Sequence, residues 1–409
     1  MSHPVGSVEQ ASSPLPMRVA TLIGVVLLAV AVYAWLFNWR TTDVEWWFAP
    51  WMDHIIQYGA KASLKAPLQV QVEGVNGFAN YSPPYLYLLI LASTASKWFS
   101  SFVLVKIVAI AGALFCAFCV YYLLSALTSR NGALLGAAGL LLLPSVALNG
   151  PAWGQTDTIW GALAALVVAF ALRGHWAAMM LAFGAAVAFK LQAVFIAPFL
   201  LYMVLSRRIG LGYFLLPVLA YAAMLVPAWL AGRPAWDLAT VYLEQAGTYH
   251  WLSMNSPNPW AFVQYTRLLS YETGVILGTG LAVLAALAFG GLAIRWRPLE
   301  GSDLLLLAVL VAAAMPYLLP KMHERYFFLA DILAFAFAVS RPRLWTISVA
   351  VAVQCGSVAA YASHMLSFAM GKYLGALFIG AALITLLYQM GSTLHVKRPA
   401  KSLWTSSAA

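Results

Sequence analysis

Apolar runs of around 20 residues recur along this chain from Met17 to Met390. As helices, each is long enough to cross a hydrocarbon core of roughly 30 Å. That repetition narrows the fold to an all-α, polytopic bundle of membrane-spanning helices. Composition points the same way. Hydrophobic residues make up 63% of the 409 and charged residues only 9%, where a soluble domain carries about 25% charged residues. A chain this apolar cannot cover a water-facing surface. No hydrophilic stretch is long enough for a second folded domain. The expected organisation is a polar, disordered cytoplasmic N-terminus over 1–16, a transmembrane domain over 17–390, and a cytoplasmic basic tail over 391–409.

The formal charge of +10 does not call for a nucleic acid partner, because the basic residues sit mostly in short loops, where they set topology. The clearest are Arg207-Arg208, Arg295-Trp296-Arg297, Arg341-Pro342-Arg343 and the tail with Lys397, Arg398 and Lys401; Arg130 and Arg173 are weaker. With these inside, the outer loops are 38–101 and 232–273, and Lys321–Arg325 also falls outside. One segment, 84–99, admits two readings. If it spans, Arg130 and Arg173 land outside while Gln155 and Asp157 land inside. Its 16 residues are short for a span, and Ser82-Pro83-Pro84 suits a helix start, so an interfacial position is preferred. The stretch 177–205 must then be two short helices meeting near Lys190. The count comes to about 12 spans, within 10–13, with both termini inside. Cys116, Cys119 and Cys355 all lie in apolar runs and read as packing residues.

Ionisable residues inside a membrane domain usually face a cavity, and five clusters stand out. Asp43 and Glu45 follow the first span, with Asp53 and His54 behind them; they suit a general base for a hydroxyl or solvated acids in an aromatic belt. Tyr81 leads into Ser82-Pro83-Pro84, a rigid turn. Gln155 and Asp157 sit where a helix begins, a place that favours an anion or a simple N-cap. Lys190 and Gln192 interrupt some 30 apolar residues; the lysine either faces a phosphate or snorkels to an interface. His323, Glu324 and Arg325 either grip a phosphate or form a buried ion pair. Tyr249-His250-Trp251 and Asn255–Trp260 suit sugar binding or a membrane-surface helix.

In order, the chain presents an outer Asp43, Tyr81-x-Pro83-Pro84, Gly154-Gln155-x-Asp157, Phe189-Lys190-x-Gln192 with Pro198, and His323-Glu324-Arg325-Tyr326. This combination resembles the GT-C superfamily of polytopic glycosyltransferases. It is similar to bacterial proteins related to the second mannosyltransferase of GPI-anchor synthesis, and to the dolichyl-phosphate-glucose-dependent glucosyltransferases. The resemblance implies an inner-membrane hexosyltransferase whose site faces the periplasm or exterior. It implies a polyprenyl-phosphate-linked sugar donor such as mannose or glucose, and a glycan, lipid-linked or protein acceptor. It implies no tight metal or other cofactor. Asp43 would be the general base of an inverting transfer. Lys190, His323 and Arg325 would hold the donor phosphate. Glu45, Tyr81, Gln155, Asp157, Gln192 and Glu324 would contact sugar or acceptor. The rival reading is a transporter or flippase for a lipid-linked or small polar solute. Against it, the ionisable residues gather at one face and no internal repeat is visible.

Overall fold

The computed structural model describes residues 15–396, apart from 67, 68, 73, 74, 79, 80, 248 and 297. Most of the N-terminal segment, Arg297, and the tail residues Lys397, Arg398 and Lys401 lie outside the described residues. The helices are α1 (Leu15–Phe37), α2 (Ala49–Lys65), α3 (Pro83–Ser93), α4 (Ser101–Leu124), α5 (Arg130–Leu140), α6 (Pro144–Ala147), α7 (Asp157–Arg173), α8 (Trp176–Phe189) and α9 (Ala197–Leu205). They continue with α10 (Leu215–Leu230), α11 (Ala235–Gly247), α12 (Trp260–Thr266), α13 (Tyr271–Arg295), α14 (Gly301–Leu318), α15 (Phe328–Ser340), α16 (Leu344–Met365) and α17 (Gly371–Val396). Strands are confined to an antiparallel hairpin, Gln69–Val72 with Val75–Phe78, and a two-residue parallel bridge, Ser253–Met254 with Met322–His323.

The protein is all-α and polytopic in character. Among the described residues, seven helices are long and apolar enough to cross a membrane, and the pair Arg130–Leu140 and Pro144–Ala152, bent by 49°, would make an eighth. Other apolar helices are shorter: Pro83–Ser93, Trp176–Phe189, Leu191–Leu205 and Phe328–Ser340. The expected figure of about 12 is therefore not reached by full-length helices. The centre of the bundle is α7, α14 and α15. Every residue from Leu304 to Met315 is buried, as is most of α7. By contrast α1 and α13 turn Leu27, Val30, Ile276 and Leu284 outward. A helix apolar all round belongs in a core or in lipid, and these two sets divide along that line.

The bundle has two ends. At one, Arg341 pairs with Asp303 at 3.3 Å, Arg208 donates to the Leu299 carbonyl at 2.7 Å, and Arg173 reaches the Ser125 hydroxyl at 2.8 Å. The basic loops thus share an end. From there α14 runs to the loop 319–327 and α8 runs to Lys190, both at the opposite end. The segment 84–99 does not carry the chain between ends. Helix α3 starts beside the Tyr81–Trp51 ring contact. The chain is back at that same end by Ser101, whose hydroxyl donates to Asp53. The two short helices expected within 177–205 are also present, α8 and the turn-plus-helix Leu191–Leu205, and they break at Lys190.

Candidate functional site

Each polar residue of the site stands at an interruption of a helix. Asp43 opens a π-helical turn, Val44–Phe48, just beyond α1. Gln155 and Asp157 follow a second such turn, Leu148–Ala152, which contains Pro151. A proline there removes a helical hydrogen bond and breaks the ladder. Gly154 then turns the chain at φ +74°, and a Cβ there would lie 2.7 Å from Val44, so glycine is needed for both backbone and space. Lys190 is extended, with φ −160° and ψ 133°, which takes its side chain off the α8 surface. Pro198 stands in the first turn of α9, where its missing N–H is harmless.

These breaks bring five distant segments to one point. Lys190 Nζ lies 2.5 Å from Asp157 Oδ1. Asp157 also accepts from Asn149 at 2.9 Å and from the Trp160 indole at 2.7 Å. Arg325 Nε is 3.5 Å from Asp157 Oδ2, and its Nη1 is 3.9 Å from Asp43 Oδ2 and 2.6 Å from Glu324 Oε1. The Gln155 amide donates to Asp43. Asp157, Glu324 and Gln155 are fully or almost fully buried, whereas about a fifth of the Asp43 side chain, 19%, stays exposed. Trp153 carries Arg325 5.5 Å from its ring centroid and is stacked by His364 at 5.1 Å. Charges this deep persist only when paired, and these are paired in a network that branches at Arg325.

The loop 319–327 lies outside the helices and its electrostatics are informative. Burial disfavours the charged form of Glu324, but Arg325 and His323 outweigh it and hold the carboxyl below the usual carboxylate range. Burial pushes the His323 imidazole down, and the Glu324 carboxylate offsets this only in part. Its Nδ1 lies 3.7 Å from Glu324 Oε2. Its ring packs between Tyr249 at 5.8 Å and Tyr326 at 5.1 Å. The parallel bridge ties this loop to 253–254, which brings the segment 232–273 against the site.

Of the expected site residues, Asp43, Gln155, Asp157, Lys190, His323, Glu324 and Arg325 are brought together. Tyr81 borders them, its ring 5.7 Å from Lys190 Nζ. Asp157 and Glu324, expected to contact sugar or acceptor, pair here with Lys190 and Arg325. Glu45 is left out: its side chain is 38% exposed and pairs with Arg40 at 3.0 Å. Gln192 lies beside the cluster, in the wall of an apolar groove of about 380 Å³ whose lining includes Phe195, Pro198, Val283, Met315 and Tyr326. The groove borders the exposed residues Leu191, Val194 and Val283, so it opens on the apolar outer surface.

Sequence reasoning missed Asn149, His364 and Lys106. The first two are ordinary residue types in apolar surroundings, and only the fold shows what they touch. Lys106 carried a signal, a lone lysine within a 24-residue apolar helix. No protein-family model matches this chain, and no curated protein matches it. What the site does is therefore argued from its geometry.

Proposed function

We propose that the chain is a GT-C-type glycosyltransferase that moves a monosaccharide from a polyprenyl-phosphate carrier to an acceptor hydroxyl, with inversion. The observation that carries this reading is the meeting of Asp43, Gln155, Asp157, Lys190 and Arg325 at one end of the bundle, beside an apolar groove. A lipid-linked sugar phosphate is half hydrocarbon and half anion, and the two features match its two halves. The prenyl chain lies in the groove, with Gln192 and Tyr326 at the polar mouth. The phosphate faces Arg325, whose Nε has no hydrogen-bond partner in the structure, and the Lys190 ammonium. His323 adds one hydrogen bond.

In the reaction the acceptor O–H gives its proton to the Asp43 carboxylate as its oxygen attacks the anomeric carbon. The bond from that carbon to the phosphate oxygen breaks, and its electron pair leaves with the polyprenyl phosphate. Negative charge thus disappears at Asp43 and grows on the phosphate. Arg325 sits within 4 Å of Asp43, so one fixed cation serves both ends of that transfer. Because Asp157 and Glu324 already hold the cations in position, little reorganisation is needed at the transition state.

The mean hydropathy of +0.83 and the shared end of the basic loops support a bacterial inner-membrane location with the site facing the periplasm or exterior. The short apolar helices, α8 and Leu191–Leu205 above all, make up the rest of about 12 crossings. The purified protein is tested with a panel of synthetic polyprenyl-phosphate sugars and radiolabelled acceptors. Transfer from at least one lipid donor, with none from nucleotide sugars, is expected. The reading fails if lipid donors give no product while nucleotide sugars do. It also fails if vesicles carrying the protein move a lipid donor across the bilayer without transferring its sugar, which is the transporter's signature.

A further inference from the structure

Lys106 takes no part in the chemistry just described, yet it is among the most completely buried large side chains in the protein, 0% exposed within α4. An ammonium has three donors and no acceptor, and here all three are used on backbone. Nζ donates to the Trp39 carbonyl at 2.8 Å, to the Pro151 carbonyl at 2.9 Å, and to the Ala152 carbonyl. Among the described residues no carboxylate lies within ion-pair distance of it. A charge in hydrocarbon surroundings is expensive, and leucine or methionine would pack this helix without that cost.

The three carbonyls belong to two separate segments. Trp39 is four residues before Asp43, and Pro151 and Ala152 are four and three residues before Gln155. Both segments have left helical hydrogen bonding at these points, one after α1 and the other through the Pro151 break, so their carbonyls need outside donors. Lys106 supplies them and in doing so joins the two strips of chain that carry the base and its partner. Two further links join the same strips: the Thr41 hydroxyl donates to the Trp153 carbonyl at 3.2 Å, and Gln155 donates to Asp43. Gly154 packs against the Lys106 stem, where a Cβ would lie 3.8 Å from its Cδ.

We propose that Lys106 is a positioning residue that staples the Asp43 segment to the Gln155–Asp157 segment and so fixes the base opposite the anion-holding residues. The stapling itself is a statement about structure; its effect on turnover rests on the transferase reading. Two readouts therefore run together on K106M and K106Q, in detergent or nanodiscs. The first is hydrogen–deuterium exchange. K106M is expected to speed exchange in 38–45 and 149–157 while α14 and α15 stay protected. The second is kinetics. K106M is expected to lower kcat by about 10- to 100-fold, since small misplacements of reacting groups can cost up to about that much, with KM for the lipid donor changed less than about twofold.

K106Q keeps two N–H donors without the charge, so it is expected to fall between K106M and wild type on both readouts. It also covers the case in which K106M does not fold. In a K106M/Q155A double variant the loss in kcat is expected to be close to that of the worse single variant, because both act through the same geometry. Unchanged exchange in the two segments overturns the proposal, as does fully additive loss in the double variant. Faster exchange with an inactive wild type would leave the staple standing and sink the transferase reading instead.

Discussion

Asp43 and Asp157 are carboxylates in one cluster, touched by the same arginine, and they are built for opposite tasks. Asp157 is fully buried and has Lys190, Arg325, Asn149 and Trp160 around its two oxygens. Asp43 keeps about a fifth of its side chain exposed and, among the described residues, has one side-chain hydrogen bond, from Gln155, with Arg325 at 3.9 Å. A base needs a free lone pair and a route for the substrate; an anchor needs neither. On the proposed transferase reading, the number of partners, more than the residue type, separates the reacting acid from the holding acid.

The largest expected effect tests the first half of that contrast. D43N removes the proton acceptor while keeping size and hydrogen bonding, so kcat is expected to fall by about a thousandfold or more. Its thermal midpoint and its binding of the donor are expected to stay near wild type. Donor binding is measured by retention of a labelled polyprenyl-phosphate sugar. A D43N protein with more than a tenth of normal turnover would move the base elsewhere.

The next effect tests the other half. D157N leaves Lys190 buried without its counter-ion, and breaking such a pair costs about 3 to 5 kcal/mol. Here stability and donor binding are both expected to drop, read as a lower midpoint in thermal unfolding and weaker retention of the labelled donor. Adding K190M to D157N should restore much of the stability, because no uncompensated charge remains, while donor binding stays weak. If D157N melts like wild type and loses only kcat, the roles of the two acids are exchanged.

How much of this could be read in the sequence follows from where the polar residues stand. Apolar run length speaks for helices and for the membrane, since the bilayer imposes a fixed scale. Lys190 was legible because it interrupts an apolar run and has Pro198 behind it, and the helix does break there. Lys106 lies in the second turn of an unbroken helix, and nothing local says that it faces carbonyls instead of an interface. Gln155 and Asp157 could be placed beside Asp43 only by choosing the interfacial reading of 84–99, a choice the charge of two arginines supported. What no sequence pattern conveyed was the pairing of Lys190 with Asp157. The contact of Glu324 with Arg325 is the buried ion pair that stood as one of two readings of that loop. Span count was the least legible quantity, because helices broken at functional residues are shorter than the bilayer rule assumes.

A smaller effect concerns pH and the loop that holds Arg325. His323 has its folded pKa lowered by burial, so as pH falls the unfolded chain takes up that proton first. Its contribution to stability is whole above the ordinary histidine value of about 6.5 and is lost as pH drops below it. Glu324 is depressed by Arg325 and His323 against its own burial. Its contribution is likewise whole above the ordinary carboxylate range and lost on further acidification. Both act in the same direction, so together these two groups lower the thermal midpoint as pH falls from 7 to 4. H323Q should flatten the upper part of that contribution and leave the lower part. An H323Q curve that follows the wild-type curve throughout would mean that burial of His323 adds nothing to the pH dependence.

The smallest expected effect is the sharpest control on Asp43. Glu45 is two residues away, in the same turn and of the same chemical type, and the sequence offers no strong ground for choosing between them. The structure turns it outward to Arg40, with both side chains well exposed. Exposed pairs of this kind contribute little. E45Q should therefore change kcat by less than about twofold and leave the thermal midpoint unmoved, although D43N abolishes turnover. The pair of variants holds charge change and sequence position nearly constant and varies only burial and partners. If E45Q were as damaging as D43N, nearness to the first span would explain the site no better than partner geometry. The comparison between the open acid and the anchored one would then have to be redrawn around Glu45.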